Sequence, residues 1–202
     1  MTCKFTLKDI KQQIDFDEVY IDEKITLRFL GYGSRNPPET IIEIVQEEIA
    51  KVNNLLDIDV YVVEIKNFKS KYKSFAVLYS IGDRINDEIN YLMENYSMMA
   101  SLALDKVGVV ALDFLNDKIK EFLKLNFPHL NISNEVYPGS KDFGVENQTM
   151  IYNSIKSEFP DLTISINEYH QLSPIKSVAL VILLGKDTCT VSRCDKCENK
   201  CF

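Results

Sequence analysis

Tryptophan is absent from the 202 residues, histidine occurs only twice, and no apolar run approaches the length of a bilayer span. The longest such run, Val178 to Leu184, is far shorter than the ~20 residues a membrane helix needs. His129 and His170 stand apart in sequence and read as surface or structural side chains, not as a catalytic pair. A basic excess is also lacking. The formal net charge is -7, which excludes the cationic face that nucleic acid requires and disfavours docking on an anionic membrane. Residues 1–8 hold no apolar h-region, so a cytoplasmic location with reduced thiols is expected. The glycine-containing stretch Gly31 to Pro38 fits neither the dinucleotide fingerprint nor the phosphate-loop spacing. No internal repeat is present.

What remains is an ordinary globular composition, enough chain for one domain with its own core. Residues 1–23 read as an arm carrying a short amphipathic helix through Leu7, Ile10 and Ile14. Residues 24–187 read as the domain and 188–202 as a cysteine-rich tail. Strands are expected at 25–30, 60–65, 75–81, 132–137, 163–166 and 178–184. Helices are expected from Pro37 to about Leu56, over 84–95, 97–125 and 146–159, with Pro160 as a stop. The mixed order, without clean βαβ alternation, predicts an α+β fold: a mixed or antiparallel twisted sheet with flanking helices.

Two features stand out within that frame. The helix over 97–125 is apolar nearly all round from Met98 to Leu115, which predicts burial. Asp105 and Asp113 interrupt it, eight residues apart and so on nearly one face. A carboxylate there requires a partner, either a structural one or a ligand. The other feature is Pro138-Gly139, at the end of the expected strand 132–137. Proline fixes φ and glycine accepts positive φ, so the chain must turn, and a ligand can approach where no side chain projects.

Four of the five cysteines, Cys189, Cys194, Cys197 and Cys201, fall within the last fourteen residues as C-x4-C-x2-C-x3-C. In a reducing compartment that pattern suggests a metal. Such tight clustering favours an iron–sulfur cluster over zinc, and free thiols are the remaining alternative.

Taken together, several segments resemble the activation (reactivation) domain of cobalamin-dependent methionine synthase, in its free-standing bacterial form. Leu27-Arg-Phe-Leu-Gly-Tyr32 is similar to the opening segment of that family, and Leu104 to Leu115 to its central helix, with Asp113 at a position usually held by Glu. Val136-Tyr-Pro-Gly-Ser140 falls on an Arg-x-Ser-Pro-Gly-Tyr signature, Gln148 on a glutamine that follows it, and Ser173 to Val178 on a late Pro-x-Lys-Ser-Val segment.

The resemblance implies binding of S-adenosylmethionine by Asp113, Glu135, Tyr137, Pro138, Gly139, Ser140 and Gln148. It further implies cobalamin presented by a separate methionine synthase or other corrinoid protein, and a flavodoxin-type reductant. Glu135 and Ser140 replace the signature arginine and tyrosine, which reverses one charge. On that basis Glu135→Arg is expected to strengthen binding. The alternative the same residues leave open is a degenerate relative that acts as a metal, redox or interaction accessory through its tail.

Overall fold

The computed structural model describes residues 3–14, 17–66, 68–69 and 71–186, so the four tail cysteines lie outside the described residues. In chain order the elements are β1 (Lys4–Thr6), α1 (Leu7–Gln13), α2 (Glu23–Leu27), α3 (Glu39–Val52), β2 (Asp59–Ile65) and β3 (Lys73–Ser80). There follow α4 (Arg84–Asn95), α5 (Met98–Asn126), β4 (Asn131–Val136), α6 (Asn147–Lys156), β5 (Ser165–Ile166), β6 (Leu172–Ser173) and β7 (Ser177–Gly185). Five strands form one sheet in the order β1-β2-β3-β7-β4, and every neighbouring pair is antiparallel. β5 and β6 form a separate hairpin. The expected α+β class is what the chain adopts.

Both faces of the sheet are covered. That explains why β3 and β7 are near-continuous apolar runs, where an antiparallel sheet with one wet face would alternate. Phe75, Val77, Tyr79, Leu180 and Ile182 point into the layer under α5, with Leu104, Leu115 and Phe122. Ala76, Leu78, Val181 and Leu183 point the other way, against Ile151 and Ile155 of α6. Burying a side chain of this size is worth about 2 kcal/mol, so the two layers account for most of the fold's cohesion.

The break between α4 and α5 falls where the sequence predicts it. Ser97 caps α5, its Oγ accepting from the N–H of Ala100 at 3.3 Å. Gly108 lets α5 come close to its neighbours. A methyl group there would sit 3.1 Å from Ile85 Cδ1 and 3.3 Å from Lys176 Cε.

The expected strand over 25–30 is instead helical. Asp22 Oδ1 accepts from the N–H groups of Lys24 (2.8 Å) and Ile25 (3.1 Å), which starts α2, and Arg28–Tyr32 continue it as a π-helical turn. The alternating pattern of this stretch resembles a strand, but the cap and the joint burial of Thr26 and Leu27 decide for helix. The expected strand over 163–166 shrinks to Ser165–Ile166, and two strands without a clear periodic signal, β1 and β6, are added. Residues of the N-terminal segment pack into the main core, with Ile10, Ile14, Val19 and Ile21 all buried.

Candidate ligand-binding site

β4 is an edge strand with α5 packed against one of its faces. Residues 113, 116 and 120 of α5 are spaced i, i+3, i+7, so they share one side of that helix. Two of them meet β4 directly. Asn116 Nδ2 donates to Glu135 Oε2 at 3.0 Å and reaches the Tyr137 hydroxyl at 3.4 Å. Lys120 Nζ lies 3.1 Å from Glu135 Oε1 and 2.8 Å from Asp117 Oδ1. The Tyr137 hydroxyl donates to Glu135 Oε2 at 2.5 Å. Glu135 thus gathers a hydroxyl, an amide and an ammonium.

The electrostatics follow from that arrangement. Burial pushes the Glu135 carboxyl up, but Tyr137, Asn116 and Lys120 outweigh it and hold the group below its ordinary value. Lys120 shows the counterpart. Burial pushes it down, and Asp117 with Glu135 raises it above the usual lysine value. Both groups are therefore charged at neutral pH. Asp117 and Glu135 flank the Lys120 ammonium, so two acids share one cation here. Asn116 is 5% exposed, and its Oδ1 has no hydrogen-bond partner among the described residues. A buried amide oxygen left unpaired costs ~1–3 kcal/mol, and an entering donor reaches it only when the side chains covering it move aside.

The chain leaves this cluster through the Pro-Gly turn. The N–H of Ser140 donates to the Tyr137 carbonyl at 3.2 Å and Gly139 has φ 88, as a type II turn requires. The N–H of Gly139 donates to Phe143 O at 2.8 Å, and Phe143, itself buried, stacks edge-on against Phe68. The turn is therefore fixed from below. Gly139 and Ser140 spend their N–H groups inside it, which narrows the expected role of this backbone to its open face. Apart from Pro138 and Ser140, no described residue has a heavy atom within 4 Å of where a Gly139 side chain would begin.

Gln148 sits at the start of α6, whose core layer also holds Phe143 beneath the turn, and its Nε2 donates to His170 O at 2.8 Å. His170, at φ 62, also places Nδ1 2.8 Å from Thr149 Oγ1, so this side chain and Gln148 brace the hairpin of β5 and β6. The structure thus brings Glu135 and Tyr137 together with one side of α5, seats the turn on Phe143 in the layer of α6, and ties Gln148 to the His170 carbonyl. Asn116 and Lys120 are the site residues that sequence reasoning missed. Asp117, Lys118, Glu121 and Lys124 spread polar residues through the second half of α5, so nothing local singles out residues 116 and 120.

The late segment forms a second polar contact with α5. Lys176, only 9% exposed, donates from Nζ to Asp105 Oδ1 at 2.5 Å and to the Asp105 carbonyl at 3.2 Å. Burial works against ionised Asp105, yet Lys106 and Lys176 hold its carboxyl below the ordinary range. Asp105 is therefore a partnered structural acid. Among the described residues, no group of acids, cysteines and histidines could hold a metal ion, and no helix is long and apolar enough to cross a membrane.

These elements define an α+β domain with an antiparallel sheet between helical layers and a polar cluster where one edge strand meets α5. No protein-family model and no curated protein matches the sequence. Among solved structures, the fold is similar to that in a crystal structure of the MetH reactivation domain bound to AdoHcy. The TM-score is 0.63 over 95% of this chain and 81% of that one, at 8% sequence identity, so the likeness is one of fold.

Proposed function

We propose that the chain binds S-adenosylmethionine between β4, the Pro138-Gly139 turn and α5. In this role it serves as a free-standing reactivation component for the corrinoid of a separate cobalamin-dependent methionine synthase or related methyltransferase. The observation that carries the reading is the buried, unpaired Asn116 Oδ1 beside Glu135 and Tyr137, on a fold shared with a domain crystallised with AdoHcy.

The donor set fits the ligand. S-adenosylmethionine carries a sulfonium, an ammonium and a carboxylate, and so is a net cation. Acids and an aromatic ring suit the first two groups. Asn116 Oδ1 suits an N–H or O–H donor. Lys141, exposed just past the turn, is the nearest lysine in sequence to the turn and suits the carboxylate as a point charge.

The bound ligand would supply a methyl group on sulfur. The chain's own contribution is to hold that group in line with the partner's metal and to keep its charge balanced, a proximity effect with little covalent chemistry by the protein. One electron from an external, flavodoxin-type reductant and the methyl group together restore the partner's methylated corrinoid, leaving AdoHcy. This reading places the protein in the cytoplasm.

The test is reconstitution. A corrinoid methyltransferase poised in its inert oxidised state is mixed with a low-potential reductant, S-adenosylmethionine and this protein. Return of the methylated corrinoid spectrum only when the chain is present is expected. A rate independent of the chain would remove the reactivation role.

A further inference from the structure

Between Arg84 and Lys106 the chain carries no lysine, arginine or histidine, but four acids, Asp87, Glu88, Glu94 and Asp105. Two of these are engaged within the molecule: Glu88 pairs with Lys51, and Asp105 with Lys106 and Lys176. Asp87 and Glu94 are exposed and pair with no cation among the described residues. The same short stretch holds Tyr91, Met93, Tyr96, Met98 and Leu102, five of the eleven large apolar or aromatic side chains that are exposed among the described residues. Tyr91 and Tyr96 lie with ring centroids 6.1 Å apart. Asp87, Tyr91 and Glu94 are spaced i, i+4, i+7 on α4, so two acids flank the Tyr91 ring. Tyr96 and Met98 stand on either side of the Ser97 cap, 79% and 69% exposed, and Leu102 follows Met98 at i+4 on α5.

The inner side of this corner is already sealed. Ile85 and Leu92 of α4 join the main core with Leu104 and Val107 of α5, so the outward side chains are not needed to close it. Apolar surface left in water is unfavourable, and a contiguous patch rimmed by polar groups is the mark of an interaction site. Tyrosine and methionine are the residue types that interface centres favour. Charge decides what fits. A second copy, docked by the same patch, would set Asp87 and Glu94 against their own counterparts. An anionic membrane or a nucleic acid meets the same repulsion. A polypeptide with lysine or arginine around apolar anchors is complementary: its cations meet the two unpaired acids and the tyrosine faces, and its anchors meet Met98 and Leu102.

We propose that the corner between α4 and α5, built from Tyr91, Tyr96, Met98 and Leu102 with Asp87 and Glu94, is a docking surface for a basic amphipathic segment of a partner protein. Met98 and Asn116 are eighteen residues apart on α5, ~27 Å along the helix, so this surface is distinct from the cluster at β4. The inference is independent of the S-adenosylmethionine reading, and neither result bears on the other.

The probe is an amphipathic helical peptide of leucine and lysine carrying one tryptophan, titrated with the full chain and followed by fluorescence. The chain has no tryptophan, so the peptide supplies the only indole. Saturable binding with a blue shift is expected, several-fold weaker at high salt and at least about tenfold weaker for a matched peptide with glutamate in place of lysine. Tyr96→Ser with Met98→Ser should weaken binding about tenfold, whereas Ile175→Ser, a 78% exposed apolar side chain elsewhere, should not. Asp87→Lys with Glu94→Lys should cost about as much, whereas the same change of net charge at Asp161 and Glu168, exposed beyond α6, should cost no more than about twofold. Equal binding of the two peptides would overturn the proposal, and so would losses no greater at the corner than at the control positions. Self-association of the unmodified chain in sedimentation, abolished by Tyr96→Ser with Met98→Ser, would assign the patch to a second copy and overturn it as well.

Discussion

Two ion pairs reach α5 from the sheet side, with opposite polarity. At one, a lysine from the segment before β7 meets an acid on the helix, Lys176 with Asp105. At the other, an acid from β4 meets a lysine on the helix, Glu135 with Lys120. The first is tightly buried on its cationic side, and its ammonium also caps a backbone carbonyl. The second is more open and carries an extra hydroxyl and amide, yet leaves one buried amide oxygen unmatched. A pair whose groups are satisfied by each other reads as structure. A network with an unfilled acceptor, next to a turn with open space above it, reads as a place for a ligand.

The sharpest way to break that contrast is at the structural pair. Asp105→Ala strands a buried ammonium and should cost about 3 kcal/mol in a urea denaturation series, with little effect on ligand affinity per folded molecule. Glu135→Arg comes next. The sequence alone predicts tighter S-adenosylmethionine binding, but Lys120 already occupies the cationic place. Arginine would then face like charge and lose three partners, so a stability loss of about 2 kcal/mol and weaker binding are expected. Tighter binding by this variant would show that the signature, not the network, governs the site. Asn116→Leu should weaken the ligand about tenfold while shifting stability by less than about 1 kcal/mol, because it removes an unpaired oxygen together with an amide. If affinity is untouched, the orphan acceptor is not part of the site.

The smallest effect concerns pH. Asp105 and Glu135 have carboxyls held below their ordinary values, so their stabilisation is present above the unfolded carboxyl range and fades as pH falls through their folded values. Glu48 behaves in the opposite way. Burial raises its carboxyl, with Lys51 opposing, so its contribution is greatest under acid conditions and lessens as pH rises through its folded value. Glu48→Gln should therefore stabilise the chain at neutral pH by about 1 kcal/mol, and the gain should vanish on acidification. A pH-independent change in the denaturation midpoint would show that burial does not control this group.

The sequence carried more of the fold than of the site. Apolar runs marked β2, β3 and β7, and the Tyr96-Ser97 break was visible because serine is a natural cap. The error at 25–30 has a local cause. Ile25, Leu27 and Phe29 alternate like a strand, and only the side chain of Asp22 on the following N–H groups turns the segment into α2. β1 and β6 are too short to have a period, so only tertiary pairing creates them.

At the site, the Pro-Gly turn was legible from φ preferences alone. Glu135 read as a departure from a signature, whereas its three partners come from residues 116, 120 and 137. That compensation lies across two elements and has no local sequence signal. Gln148 fell at the expected distance along the chain, and its amide is spent on the His170 carbonyl.

The central claim is that a cationic adenosyl ligand occupies this acid-rich edge. Calorimetric titration of the full chain with S-adenosylmethionine and, under the same conditions, with AdoHcy tests it most directly, because the two differ by one methyl group and one positive charge. The account predicts saturable binding of both, with S-adenosylmethionine tighter by about threefold to tenfold and the difference shrinking at high salt. No heat from either ligand at millimolar concentration, or equal affinity for the two at every salt concentration, would contradict it.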